Sequence, residues 1–366
     1  MKRMLLGLFF GLILLYNGSA AAEGARSALL MEAETGRVLY AQNAHEALPM
    51  ASTTKIMTAL VALENGRLED TVTAGRNAFG VPGTSIYLSE GEQLTLEEML
   101  YGLMLASGND AAVAIAEHIG GSVEQFCQMM TRRAEELGCE NTVFSTPHGL
   151  PGGNHHTTAW DLALITREAL KNADFRQIVS TQRASIPWAG HEYNRVLNNK
   201  NKLLSSYPGT LGVKTGYTKA AGRCLVFAAE REGLRLIGVV LNCPNWFEEA
   251  AAMLDQGFEN WQMVTLLDAG EAVRQVPVEN GEKAEIAVRT AAAVAAPVRV
   301  NSWPDLKIDL PDSLPAGVEA GQIVGAVSLV DGGETLITVP LCAAEASPPR
   351  SFPFHLRRIL RLWPGA

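Results

Sequence analysis

The chain has 366 residues, of which 47% are hydrophobic and 19% are charged, and its formal net charge is −9. This composition excludes an intrinsically disordered chain, because it supplies enough apolar surface for a large core. The negative charge makes nucleic acid a poor partner. The length exceeds that of a usual single domain, so we expect two folded units with short appendages.

The first segment of the chain has the pattern of a secretory signal. Lys2 and Arg3 precede an uncharged apolar run (residues 4–16), and three alanines (residues 20–22) offer small side chains for cleavage. A retained membrane anchor is the alternative, but an apolar run rising about 1.5 Å per residue over this length falls well short of a hydrocarbon layer of roughly 30 Å. We therefore interpret residues 1–22 as a signal peptide and expect an extracytoplasmic protein.

Residues 23–262 show strand patterns at both ends and helical patterns between them. Apolar runs flank Glu34-Thr35-Gly36 within residues 28–42, which predicts a hairpin, and residues 225–241 predict a second hairpin. Between the hairpins, helix start signals with a capping side chain occur at Thr95, Ser122 and Thr158. We expect one α+β unit in which an antiparallel sheet is closed by strands that lie far apart in the sequence.

Residues 263–345 have a different texture, because short β-prone runs alternate with Gly, Pro, Asn and Asp. The runs cover residues 276–278, 284–288, 298–300, 306–310, 323–329 and 336–339. This spacing predicts a small all-β domain. Residues 346–351 contain two consecutive prolines and are predicted to be a linker.

Residues 352–366 are predicted to form an amphipathic helix. At about 100° per residue, its apolar and basic side chains fall on opposite sides. The apolar side holds Leu356, Ile359, Leu360 and Trp363, and the basic side holds Arg357, Arg358 and Arg361. Such a helix suits the surface of an anionic membrane, which we expect as a partner. A helix docked on the protein itself or a frayed tail is the alternative, and so short a helix should order only on binding.

Three short strings in the N-terminal unit can carry chemistry. They are Ser52-Thr53-Thr54-Lys55, Ser107-Gly108-Asn109 and Lys214-Thr215-Gly216. Taken singly, the first two patterns are expected about once by chance in a chain of this length, and the third in roughly one chain in ten. Their value therefore depends on the contexts in which they stand.

Ser52 precedes an apolar helical pattern, which predicts that it lies in the first turn of a helix. Lys55 then lies one turn further on the same face. A serine hydroxyl is a weak nucleophile without an adjacent base, and a lysine becomes a base only when burial or nearby positive charge disfavours its ammonium form. A helix N-terminus adds positive potential at the same place. Ser52 is therefore a candidate nucleophile and Lys55 its candidate base.

The other two strings have contexts that suit substrate binding. Ser107-Gly108-Asn109 interrupts helical texture, so its hydroxyl can relay a proton to a leaving amine and its amide can hold a peptide backbone. Lys214-Thr215-Gly216 lies just before the second hairpin, on or beside an edge strand. A substrate could add there as an extra strand, with a terminal carboxylate bound by Lys214 and Thr215.

In this order and with these spacings, the three strings resemble those of the penicillin-recognising serine acyltransferases. The Ser-Gly-Asn form is similar to that of the low-molecular-mass D-alanyl-D-alanine carboxypeptidases, and the resemblance covers roughly residues 26–262. It implies a β-lactamase/transpeptidase-like catalytic domain followed by an all-β domain and a C-terminal amphipathic anchor. It also implies removal of the terminal D-Ala from peptidoglycan stem pentapeptides, covalent binding of β-lactam antibiotics, and no cofactor or metal.

The resemblance also implies a role for each residue of the three strings. Ser52 would be the acylated nucleophile, Lys55 its base, Ser107 and Asn109 the proton relay and substrate clamp, Lys214, Thr215 and Gly216 the carboxylate-binding strand, and the N–H groups of Ser52 and Tyr217 the oxyanion hole. Tyr217 stands where some relatives carry His. Residues 242–247 lack the Arg that some relatives place there, which shifts carboxylate binding onto Lys214 and Thr215.

Several alternatives remain open at the level of sequence. A β-lactamase or esterase could use the same serine and lysine, and a class A β-lactamase would also need a Glu-x-x-x-Asn base motif downstream of Ser107. A non-catalytic cell-wall scaffold could keep the fold, but it would need no nucleophile. His148, His155, His156 and Asp161 lack metal-ligand spacing, and the five cysteines form no CxxC pair and are interpreted as small buried side chains.

Overall fold

The computed structural model of the chain describes residues 24–362. The predicted signal peptide and the last four residues of the predicted membrane helix lie outside this range. The N-terminal domain contains, in chain order, β1 (Ser27–Glu32), β2 (Val38–Gln42), α1 (Lys55–Asn65), β3 (Thr71–Thr73), β4 (Gln93–Thr95), α2 (Leu96–Met104), α3 (Asn109–Gly120), α4 (Val123–Glu136), α5 (Ala159–Ala169), α6 (Ala173–Ser180), β5 (Arg183–Ile186), β6 (Arg195–Asn198), α7 (Leu203–Ser206), β7 (Thr210–Thr218), β8 (Gly222–Arg231), β9 (Leu234–Leu241) and α8 (Trp246–Asn260).

A five-stranded antiparallel sheet organises this domain in the order β2-β1-β9-β8-β7. The strand β1 pairs with β9 from Ser27 opposite Leu241 to Glu32 opposite Leu236. The predicted closure of the unit by distant strands and both predicted hairpins are therefore confirmed. Among residues 24–362, β7 pairs with a strand on one side only, so its outer edge is available to a further strand.

Helices cover both faces of the sheet. Along β1, Leu29 and Met31 pack into one apolar core with α1 to α6, whereas Ala28 and Leu30 pack into a second core with α8. Because both faces are buried, the central strands are almost continuously apolar.

The predicted helix starts are also correct. The side chain of Thr95 forms a capping box with Glu98, and those of Ser122 and Thr158 accept a backbone N–H from the first turns of α4 and α5.

The C-terminal domain follows α8 without a spacer and is all-β, as the sequence predicts. Its strands are β10 (Trp261–Leu267), β11 (Ala272–Glu279), β12 (Glu285–Thr290), β13 (Val294–Arg299), β14 (Asp305–Asp309), β15 (Leu314–Pro315), β16 (Ile323–Asp331) and β17 (Glu334–Ala343). They form a six-stranded sheet, β14-β16-β17-β12-β11-β15, and the pair β10-β13, around a core that includes Val288, Val298 and Leu341.

The segment predicted as a linker is fastened to the all-β domain. Ser347 is buried, donates its N–H to Val318 and accepts the N–H of Gly317. The N–H of Arg350 donates to Asn280. The helix α9 (Phe352–Leu362) follows directly. Within residues 24–362, no helix is both long enough and apolar enough to cross a bilayer.

Candidate active site

Ser52 lies on a tight turn immediately before α1. The turn is a 3-10 segment, Ala51–Thr54, and the α-helix itself begins at Lys55. Ser52 was expected in the first turn of a helix, and it lies in the 3-10 turn that leads directly into α1, just after the left-handed backbone of Ala51 (φ 48°). The spacing of three residues brings the two side chains together, since a 3-10 turn repeats every three residues.

The amino group of Lys55 contacts three oxygen atoms. Its Nζ lies 3.0 Å from Ser52 Oγ, 2.7 Å from Asn109 Oδ1 and 2.8 Å from the carbonyl oxygen of His148. The amide and carbonyl oxygens can only accept hydrogen bonds. A neutral amine therefore directs its two N–H groups to Asn109 and His148 and leaves its lone pair facing the Ser52 hydroxyl.

The electrostatic surroundings of Lys55 favour this neutral form. The side chain is completely buried, and burial, followed by the positive charges of Lys214 and Lys200, holds its pKa well below the usual value. A base that is unprotonated near neutral pH is what activation of a serine hydroxyl requires.

Asn109 has a positioning role that the sequence analysis did not assign. Its Oδ1 accepts from Lys55, and its Nδ2 donates to the carbonyl oxygen of Pro82 at 2.6 Å. Ser107 precedes it in a left-handed conformation (φ 64°), and both residues line the cleft. The string therefore forms the predicted polar corner, between α2 and α3.

The third string lies on the edge strand β7, as predicted. Lys214 Nζ donates to the carbonyl oxygen of Thr215 at 3.0 Å, and burial, followed by the charge of Lys200, lowers the Lys214 pKa to about 7. Thr215, Gly216 and Tyr217 line the same cleft as Ser52. The eight predicted site residues thus converge around one cavity, six of them in its wall and the two lysines buried beside it.

The cleft has a volume of about 610 Å³ and contains cations that the sequence analysis missed. Lys200, Lys202 and Arg223 line it, whereas Glu248 is the one acidic residue that lines it in the part of the chain that the structure describes. Arg223 is directly opposite Tyr217 in the β7–β8 pair, and its Nη1 donates to the carbonyl oxygen of Pro244 at 2.7 Å. Hairpin register could have identified Arg223, because cross-strand partners share one face of a sheet.

The histidines and Asp161, which were considered as metal ligands, form hydrogen bonds within the protein. Asp161 accepts hydrogen bonds from Asn141 and Thr142, and His155 contacts Thr54. In the part of the chain that the structure describes, no group of three or more His, Cys, Asp or Glu side chains is arranged to hold a metal ion.

Comparisons with known proteins define the class to which this fold and site belong. The profile of the family described as D-alanyl-D-alanine carboxypeptidase matches residues 17–245, and that of the penicillin-binding protein 5 C-terminal domain matches residues 261–348. The chain therefore belongs to the D-alanyl-D-alanine carboxypeptidase family, whose members are low-molecular-mass penicillin-binding proteins. The predicted family and fold are confirmed.

Individual relatives align with between 64% and 99% of the chain. The chain is 35% identical to the D-alanyl-D-alanine carboxypeptidase DacF of Bacillus subtilis, over 99% of each chain, and 31% identical to DacC of Escherichia coli, over 89% of this chain and 85% of that one. The crystal structure of penicillin binding protein 5 from Haemophilus influenzae superposes with a TM-score of 0.77 at 28% identity, covering 89% of this chain and 98% of that one. A mutant of the Streptomyces K15 DD-transpeptidase gives a TM-score of 0.61 at 36% identity, over 64% of this chain and 98% of that one.

Proposed function

We propose that the protein is a serine D-alanyl-D-alanine carboxypeptidase that works through an acyl-enzyme on Ser52. Lys55 takes the Ser52 proton as Oγ attacks the carbonyl carbon of the penultimate D-Ala. The N–H groups of Ser52 and Tyr217 stabilise the oxyanion, and Ser107 passes a proton to the nitrogen of the departing D-Ala. Water then attacks the ester and releases the shortened peptide. The observation that carries this proposal is the 3.0 Å contact between Ser52 Oγ and the buried Nζ of Lys55, whose two other contacts are the oxygens of Asn109 and His148.

The edge of β7 supports binding of the stem peptide as an added strand. Gly216 has no side chain to keep a substrate backbone away, and the cleft beside it is rich in cations. Lys214 and Thr215, together with Lys200 and Arg223, are proposed to bind the terminal carboxylate of the substrate. A β-lactam antibiotic also carries a carboxylate next to its reactive carbonyl and would acylate the same serine.

Mass spectrometry of a D-Ala-D-Ala pentapeptide after exposure to the enzyme tests this proposal. We expect loss of one D-Ala with the wild-type protein and no loss with Ser52→Ala. An intact pentapeptide with the wild-type protein would contradict the proposal. An added amine acceptor would reveal transfer in place of hydrolysis, the reaction that the name of the Streptomyces K15 relative denotes.

Penicillin separates the remaining alternatives. A carboxypeptidase should form a long-lived adduct and release it slowly, because the Glu-x-x-x-Asn string between Asn109 and Lys214, residues 168–172, lies outside the cleft lining. Glu168 pairs with Lys171, and Asn172 caps α6. Rapid hydrolysis of penicillin would favour a β-lactamase. Absence of any covalent adduct would favour a non-catalytic scaffold.

We further propose that the protein is exported and attached to the outer face of the bacterial cytoplasmic membrane through α9. Support comes from the exposed apolar side chains of this helix, Phe352, Leu356, Ile359 and Leu360, which alternate with exposed Arg357 and Arg358. Deletion of residues 352–366 should release the protein from sedimented membranes and leave soluble-peptide hydrolysis unchanged. Continued sedimentation of the truncated protein would overturn the attachment.

A further inference from the structure

A chain of hydrogen bonds runs from the loop 145–156 to the turn that carries the nucleophile. The backbone N–H of Ser145 donates to His155 Nδ1 at 3.0 Å, and His155 Nε2 lies 2.8 Å from Thr54 Oγ1. Thr54 Oγ1 in turn donates to the carbonyl oxygen of Ala51 at 2.8 Å. The chain therefore ends on the residue before Ser52.

The direction of every bond in this chain is fixed. A backbone N–H can only donate, so Nδ1 of His155 has no proton, and a neutral His155 carries its proton on Nε2. That proton must go to Thr54 Oγ1, which leaves the single Thr54 hydroxyl proton for the Ala51 carbonyl. Burial, followed by the charge of His156, lowers the His155 pKa to about 4, which keeps the ring neutral near pH 7.

The carbonyl at the end of the chain belongs to the same peptide group as the N–H of Ser52. Because a peptide group is planar, fixing the direction of the Ala51 oxygen also fixes the direction of the Ser52 N–H on the opposite side. This constraint is needed, since Ala51 has a left-handed backbone that a side chain disfavours. A hydrogen bond to the carbonyl also polarises the peptide and strengthens its N–H as a donor.

We propose that His155 and Thr54 are positioning residues that orient and polarise the Ala51–Ser52 peptide as one donor of the oxyanion hole. This inference rests on the acyl-enzyme chemistry proposed above. It assigns to the loop 145–156 a role in transition-state stabilisation that is separate from its second contact, the carbonyl of His148 on Lys55. The loop can make both contacts because Gly149 has no side chain. A Cβ at residue 149 would stand only 1.8 Å from the Ala51 oxygen.

The test compares two threonines of the same turn. Thr54→Val removes the bond to Ala51, whereas the control Thr53→Val removes a 2.6 Å bond from an equally buried hydroxyl to the carbonyl of Met50. We expect Thr54→Val to slow acylation by fluorescent penicillin about tenfold or more, with unchanged non-covalent affinity, since loss of a complete oxyanion donor costs about 10²–10³-fold. Thr53→Val should acylate at the wild-type rate, and Thr54→Ser should restore most of the lost rate.

The pH profile separates this role from a displacement of Lys55. If the Ser52 N–H is affected, the rate of Thr54→Val falls at every pH and the profile keeps its shape. A profile shifted along the pH axis, or a Thr54→Val rate equal to that of the wild type, would overturn the proposal. If Thr54→Val is poorly folded, His155→Leu repeats the test, because leucine can form neither hydrogen bond. His155→Gln is its control, because a glutamine amide can accept from Ser145 and donate to Thr54. Failure of the acyl-enzyme chemistry itself would be recognised by a wild-type protein that forms no Ser52 adduct.

Discussion

Gly216 of the edge strand lies against the backbone nitrogen of Ser52, and a Cβ atom on residue 216 would stand 2.9 Å from it. The same Cβ would be 3.1 Å from the nitrogen of Thr53, so it would press on the nucleophile turn rather than on a side chain that could rotate away. The strand β7 and the nucleophile turn are thus in contact through main-chain atoms.

We predict that Gly216→Ala lowers the acylation rate about a hundredfold. The added Cβ would displace the backbone N–H groups proposed as oxyanion donors, and a misplacement of about 1 Å can cost about 10²-fold in rate. Stopped-flow measurement with fluorescent penicillin gives the rate. Gly152→Ala is the control, since its Cβ would meet only the methyl carbon of Thr146, at an ordinary contact distance of 3.4 Å. An acylation rate in Gly216→Ala equal to that of Gly152→Ala would show that the close approach is irrelevant to the reaction.

The second prediction concerns pH. Lys214 must be protonated to attract a carboxylate, and its pKa is lowered to about 7, so the charged form is lost as the pH rises through that value. Lys55 acts as the neutral base, and its pKa lies well below the usual value. The rate constant kcat/KM should therefore fall above about pH 7, because it reports the ionisations of the free enzyme.

Lys214→Arg keeps its charge at higher pH, so its alkaline limb should move upward. Lys219→Arg, a change on the same hairpin outside the cleft lining, is the matched control and should keep the wild-type profile. An alkaline limb that stays in place in Lys214→Arg would exclude Lys214 as its source.

The third prediction concerns Arg223 as a carboxylate-binding cation. Arg223→Gln should raise KM for a D-Ala-D-Ala peptide about tenfold or more, the amount expected for one charge-assisted hydrogen bond. The penalty should disappear for the same peptide with an amidated C-terminus. Arg231→Gln, on the same strand but outside the cleft lining, should behave as the wild type. An equal penalty for the free acid and the amide would mean that Arg223 acts through Pro244 alone.

The fourth prediction concerns the ion pair between Glu92 and Arg195, which is almost completely buried. Arg195 Nη2 lies 2.9 Å from Glu92 Oε1, and Arg195 Nε has no hydrogen-bond partner among the described residues. Glu92→Gln leaves an uncompensated buried cation and should lower the free energy of unfolding by about 3–5 kcal/mol. The exposed pair of Arg67 and Glu69 provides the control, and Glu69→Gln should cost about 0–1 kcal/mol in the same urea titration. Equal costs for the two variants would contradict the prediction.

The features predicted correctly from sequence depend on short-range signals. The cap at Thr95 and the turn at Glu34-Thr35-Gly36 act within a few residues of the chain, and a capping side chain or a turn leaves a local pattern. The three catalytic strings could be interpreted because their joint occurrence resembles one family. The pairing of β1 with β9 followed from strand patterns at the two ends of the unit.

The features that sequence did not reveal depend on contacts between distant segments. His155 contacts Thr54 although the two residues are 101 positions apart, and no local pattern marks that contact. Lys200 reaches the cleft because the segment after β6 returns to it. The left-handed conformation of Ala51 was not predicted, because it is imposed by its surroundings and not by alanine itself.

Peptide mapping of the acyl-enzyme tests the central claim most directly. After brief exposure to benzylpenicillin and acid quenching, the wild-type protein should carry one adduct, located on the peptide that contains Ser52, and Lys55→Ala should show its formation slowed by several orders of magnitude. An adduct on another residue, or acylation of Lys55→Ala at the wild-type rate, would contradict a mechanism in which Lys55 activates Ser52.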